Sequence, residues 1–162
     1  MAATNPILHQ AGVIAYRIQD GKVRVLLMTS RDTGRWIIPR GNIKPGVTPC
    51  RAAEQEAYEE AGDRGTILGS NPLGMYTYSK KLTSGEARAA TVEVHLLRVK
   101  QRLKKWPERS KRKLSWVSTK EAVRLVEEPG VVPLLLQVME FEHDLANTPR
   151  ESLSESRTRG RA

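Results

Sequence analysis

The chain has 162 residues, 39% of them hydrophobic, and carries 27 Lys and Arg against 18 Asp and Glu, for a formal net charge of +9. That length suits one domain with a single buried core, no apolar run approaches the roughly 18 residues of a membrane span, and the positive balance favours polyanionic partners over neutral ones. The first residues, Met1-Ala2-Ala3-Thr4-Asn5-Pro6, lack the basic-then-apolar plan of a secretory signal, and the lone Cys50 cannot form an internal disulfide, so a cytoplasmic location is expected.

In chain order, residues 1–10 read as a loose lead-in. Residues 11–18 alternate as a strand, with Val13, Ala15 and Arg17 on one face and Ile14, Tyr16 and Ile18 on the other. Asp20-Gly21 signals a two-residue hairpin, and residues 23–28 supply the returning strand. Residues 29–35 form a polar loop carrying Arg31 and Arg35, after which Trp36-Ile37-Ile38-Pro39 is a short apolar strand delivering the chain to Arg40 and Gly41.

Residues 41–62 are the organising stretch: a Gly/Pro loop, then a short helix. Thr48 is a good N-cap, Pro49 fits the first helical position, and Gly62 suits the left-handed residue past the end. Cys50, Ala53, Ala57 and Ala61 make a small-residue stripe that can lie close against a sheet. Beside it, Glu56, Glu59 and Glu60 fall at i, i+3 and i+4 and share a face. Crowded carboxylates repel, and a hard oxygen-seeking cation such as Mg²⁺ or Mn²⁺ relieves that repulsion. Arg31, Arg35, Arg40 and Lys44 flank the acids in sequence, and that alternation suits phosphate groups bridged to a carboxylate-held metal. A solvated acidic face with ordinary surface cations is the plainer alternative.

Further on, residues 66–78 read as a strand interrupted by Gly69, Asn71-Pro72 and Gly74. Residues 79–88 read as a basic loop offering Lys80, Lys81 and Arg88 to phosphate. Residues 91–99 alternate as a central strand. Residues 98–113 hold nine Lys and Arg against one acid, Glu108. With Trp106 as the only aromatic there, this run suits the rim of a site for a phosphorylated small molecule, or a solvated face, better than a base-stacking platform. Nucleic acid stays open as a partner without being favoured; no membrane contact is expected, and the oligomeric state is not legible. A strand over 113–117, a capping box from Ser118 to Glu121, a helix opening at Pro133 and a disordered tail from 147 complete the chain.

Residues 41–63 resemble the Nudix box, G-x5-E-x7-R-E-U-x-E-E-x-G-U with U bulky and apolar. Gly41, Glu56, Glu59, Glu60 and Gly62 match, and Ala57 is a small apolar residue at the first U. Val47, Gln55 and Asp63 depart, standing where the pattern has glutamate, arginine and an apolar residue. The stretches Leu26-Leu27-Met28-Thr29-Ser30-Arg31 and Arg35-Trp36-Ile37-Ile38-Pro39 are similar to the branch containing diphosphoinositol polyphosphate phosphohydrolases and diadenosine polyphosphate hydrolases.

The resemblance implies an α/β/α sandwich with a central mixed sheet, a Nudix hydrolase domain over residues 11–146, and metal-dependent cleavage of a pyrophosphate linkage. It implies Mg²⁺ or Mn²⁺ on Glu56, Glu59, Glu60 and the Gly41 carbonyl, with Glu60 and Glu59 catalytic and Glu60 the base. In the family, the residues matching positions 47 and 55 commonly form an ion pair; losing both members is close to neutral, whereas losing one strands a charge. A retuned or weakened site on an intact loop is therefore expected. The alternatives are removal of pyrophosphate from an RNA 5′ end, and a non-catalytic polyphosphate- or RNA-binding domain.

Overall fold

The computed structural model describes residues 6–31 and 33–147. Strands β1 (Leu8–Gln19) and β2 (Lys22–Thr29) form the expected hairpin. Asp20 at φ 52° and Gly21 at φ 73° both lie in the left-handed region that its two-residue turn requires. β1 also runs parallel to β7 (Ala87–Arg102), from Leu8 opposite Ala90 to Tyr16 opposite Arg98. Residues 8–10 are therefore strand rather than lead-in, because a partner some eighty residues away completes their ladder.

The remaining strands are β3 (Trp36–Ile37), β4 (Arg40–Asn42), β5 (Asp63–Ile67), β6 (Gly74–Lys81) and β8 (Leu114–Ser118). They join in the order β3-β2-β1-β7-β5, with β4 on β1, β6 on β7 and β8 on β2. Two expectations change. The strand expected over 66–78 divides into β5 and β6 around Gly69, whose φ is 77°. The basic loop expected over 79–88 is mostly a β6–β7 hairpin, with Lys80 opposite Arg88, because the ladder extends on both sides of a turn at residues 82–86.

Helix α1 (Pro49–Ala61) has the caps its sequence advertises: the Thr48 hydroxyl accepts from the Arg51 N–H and Gly62 adopts φ 68°. Its buried Ala52, Ala53, Ala57 and Ala61 pack on Ala11, Val13, Ala15, Leu26 and Leu97. Small side chains on both surfaces let helix and sheet approach closely. The opposite face of the sheet, including Ile14, Tyr16, Leu27, Val92 and Leu96, is covered by α2 (Thr119–Leu125), α3 (Val132–Glu140) and α4 (Glu142–Asn147) through residues such as Ala122, Leu135 and Val138. At about 1.5–3 kcal/mol per fully buried large side chain, this second layer carries most of the hydrophobic stabilisation.

The architecture is an α/β/α sandwich around a mixed sheet, with α1 alone on one side. α4 ends at Asn147, where the tail was expected to begin, and the rest of that tail lies outside the described residues. Among the described residues no helix is long and apolar enough to cross a membrane.

Candidate active site

Glu60, on the last turn of α1, is 3% exposed. Its Oε1 accepts the backbone N–H of Arg40 at 2.8 Å, and its Oε2 lies 2.6 Å from Arg112 Nη2. Strand β4 thus supplies one partner and the segment before β8 the other. Burial pushes the Glu60 carboxyl up to about 9, with the neighbouring Glu56 adding to the rise and Arg112 pulling against it. The Glu56 and Glu60 carboxyls share a hydrogen bond, and Glu56 is itself raised by burial and by the charges of Glu59 and Glu108. Burial, with Glu56 beside it, outweighs the pull of Arg112 and favours the neutral form of Glu60.

Gly41 belongs to the same cluster, since a methyl group there would overlap the Glu56 carboxylate. Glu59 turns aside, and its Oε1 accepts from Gln55 Nε2 at 2.7 Å. Position 55 therefore serves the box through a neutral amide. Among the described residues no three His, Cys, Asp or Glu side chains are already gathered as a metal-binding group. Glu59 is held by Gln55, and Glu60 is paired with Arg112. The donor chemistry nonetheless fits a hard divalent ion, being all oxygen, buried and short of positive charge by one proton.

The anticipated phosphate ligands are dispersed. Arg31 leaves its loop with a side chain 54% exposed and sits 3.8 Å from Glu108 Oε1. Arg35 pairs with Glu127 at 2.9 Å. Arg40 is held inside the protein, paired with Glu128 and lying 3.8 Å over the Tyr78 ring. Lys44 lines a groove of about 570 Å³ with Val47, Arg51, Tyr58 and Arg64, and its charge acts on Glu56. Lys80, Lys81 and Arg88 stand on the β6–β7 hairpin beyond Tyr78. Three residues that sequence reasoning left out of the site, Glu108, Arg112 and Glu128, join it. Glu108 was visible as the lone acid in a basic run, whereas Glu128 gave no local signal.

A model of the NUDIX domain matches residues 8–138. The chain belongs to the Nudix family. It is 30% identical over 140 residues to Nudix hydrolase 13, mitochondrial, of Arabidopsis thaliana, covering 83% of this chain and 69% of that protein. It is 28% identical over 120 residues to the Homo sapiens diphosphoinositol polyphosphate phosphohydrolase 3-beta, covering 73% of this chain and 68% of that one. Among solved structures, a Caenorhabditis elegans Ap4A hydrolase binary complex aligns with a TM-score of 0.63 at 22% identity, over 83% of this chain and 97% of the other. That last likeness concerns the fold, and it agrees with the sandwich described above.

Proposed function

We propose that this Nudix hydrolase cleaves a pyrophosphate linkage in a highly phosphorylated small molecule of the diphosphoinositol polyphosphate or dinucleoside polyphosphate type. Glu56, Glu59, Glu60 and the Gly41 carbonyl would hold Mg²⁺ or Mn²⁺. One observation carries the reading: the buried Glu60 carboxyl stands beside that of Glu56, which closes on Gly41, at the end of an arginine-flanked loop, an all-oxygen cluster suited to a hard cation. The names of the human and nematode relatives support the substrate class.

A divalent ion bound there supplies charge neutralisation on the phosphate and a lowered pKa for the attacking water. Glu60, held by the Arg40 N–H and paired with Arg112, would accept a proton from that water once the ion had displaced its own. Arg40 acts from within by anchoring β4 to Glu128, which keeps its own N–H aimed at Glu60. The exposed Arg31, with Arg35, Lys44, Lys80, Lys81 and Arg88 further out, offers charge to distal phosphates. A reducing compartment belongs to the same proposal and rests on the single cysteine.

A polyphosphate- or RNA-binding domain without turnover is the second reading, favoured by the engagement of Glu59 and Glu60 with Gln55 and Arg112. The test is incubation with Mg²⁺ or Mn²⁺ and a panel of diphosphoinositol, dinucleoside and 5′-capped RNA substrates, beside Glu59→Gln and Glu60→Gln. Wild type is expected to turn over a small-molecule substrate, and Glu60→Gln to lose about a thousandfold, within the range for a general base. Equal rates in all three proteins would remove the assigned site. Binding without turnover, falling steeply with salt, would establish the second reading.

A further inference from the structure

Arg112 comes from a basic run that reads as rim or solvated face, yet its side chain is 9% exposed. Its guanidinium donates to the Thr29 carbonyl at 3.1 Å and makes ion pairs with Glu60 Oε2 at 2.6 Å and Glu108 Oε1 at 3.3 Å, partners on three separate segments. A planar guanidinium fixes the angles between such partners, whereas a lysine ammonium is a single mobile point of charge.

The backbone around Arg112 is pinned to the same place. The Leu103 N–H donates to the Gly62 carbonyl at 2.8 Å, and the Glu108 N–H to the Glu59 carbonyl at 3.0 Å. The Lys113 N–H donates to the Thr29 hydroxyl at 2.9 Å. Trp106 lies against Gly62, where any added side chain would overlap its indole. Residues 103–113 therefore grip the last turn of α1, the turn that presents Glu59 and Glu60. The box itself offers Glu60 little help, since Val47 is 36% exposed and the Gln55 amide goes to Glu59. The cation on Glu60 arrives from outside the box.

We propose that Arg112 is the positioning residue of Glu60. It holds the carboxylate where the Arg40 N–H also reaches it, and so fixes one ligand of the proposed cation site in a box whose positions 47 and 55 carry no charge. The inference rests on the reading of Glu60 as a cation ligand, but the geometry it concerns exists without the cation. Mere charge compensation makes the opposite forecast, because removing a positive neighbour would leave Glu60 more attractive to a metal.

The experiment uses the full chain, Arg112→Ala and Arg112→Lys, with Mn²⁺ alone as the probe and paramagnetic resonance to count the bound ion. Amide hydrogen exchange is read in the metal-free proteins at Arg40, whose N–H depends on Glu60, and at Val13, whose N–H donates to the Pro39 carbonyl at 3.0 Å. Positioning predicts Mn²⁺ binding weakened at least about tenfold in Arg112→Ala, the usual scale for an outer partner of a metal ligand. It also predicts exchange at Arg40 accelerated by a similar factor, with Val13 unchanged. Arg112→Lys, which keeps the charge and folds if the alanine variant does not, should move both readouts in the same directions by a smaller factor.

Unchanged or tighter Mn²⁺ binding, continued protection of the Arg40 amide, or acceleration of both amides together would overturn the proposal. If wild type itself binds no Mn²⁺, the cation site fails while the Arg40 exchange still decides the role of Arg112.

Discussion

Glu60 and Asp63 stand three residues apart at the end of one helix, are both nearly inaccessible, and each has an arginine nearby. Glu60 accepts the Arg40 N–H at Oε1, pairs with Arg112 through Oε2 and has another carboxyl beside it. Asp63 has neither oxygen in a hydrogen bond, and its neighbours are Arg102, whose Nε lies 3.8 Å away, and Arg17. Burial raises both acids. The like charge of Glu56 then helps to carry Glu60 to about 9, while the two arginines restrain Asp63 to about 7. Depth and a neighbouring arginine are common to both acids; what separates them is the second carboxyl beside Glu60. Asp63 faces arginines alone, whereas Glu60 faces Glu56 as well as Arg112.

Breaking the Asp63 side of this contrast should have the largest effect. Its folded-state pKa is raised above the ordinary 3.8, so the native state is favoured while the group is protonated and loses stability as pH climbs from about 4 through about 7. Asp63→Asn removes that loss. The variant should match wild type near pH 4 and exceed it at pH 8 by up to about 4 kcal/mol, roughly three pKa units at 1.36 kcal/mol each, as read by urea denaturation. Its turnover should stay within about threefold of wild type if Asp63 is structural.

On the other side, Gly41→Ala drives a methyl group into the Glu56 carboxylate. A loss of about a hundredfold in kcat/KM is expected, at the upper end for displacing a neighbour of metal ligands, with little change in the unfolding midpoint. The smallest effect belongs to Gln55→Ala, which removes an exposed hydrogen bond to Glu59 worth about 0.5–1.5 kcal/mol, and so lowers kcat/KM by no more than about tenfold.

The same contrast marks how far local sequence could lead. The caps of α1 were legible because Thr48, Pro49 and Gly62 act within one turn of the residues they serve, and the Asp20-Gly21 turn was legible for the same reason. The alternation of Val13 and Ala15 with Ile14 and Tyr16 correctly divided the two faces of β1. Residues 8–10 were not legible as strand because their ladder is completed by β7, and the hairpin carrying Lys80 and Arg88 was hidden by polar residues that read as a loop.

At the site, i,i+4 spacing brings Glu56 to Glu60 and Gln55 to Glu59 alike, and it does not say which of the two contacts a carboxylate turns to. Nor could it show which of nine basic residues would be buried. Arg112 differs from its neighbours in tertiary contacts rather than in composition, and Glu128 meets Arg40 across 88 positions.

The proton held between Glu56 and Glu60 gives the most direct test. Mn²⁺ is titrated into the wild-type chain at pH 7 in two buffers of different ionisation enthalpy, and the number of protons released per ion bound is obtained by calorimetry. Because Glu60 is raised to about 9, close to one proton should leave as the ion enters, and the release should vanish in Glu60→Gln. Binding of Mn²⁺ with no proton release in wild type, or with the same release in Glu60→Gln, would contradict a cation site at this carboxylate pair.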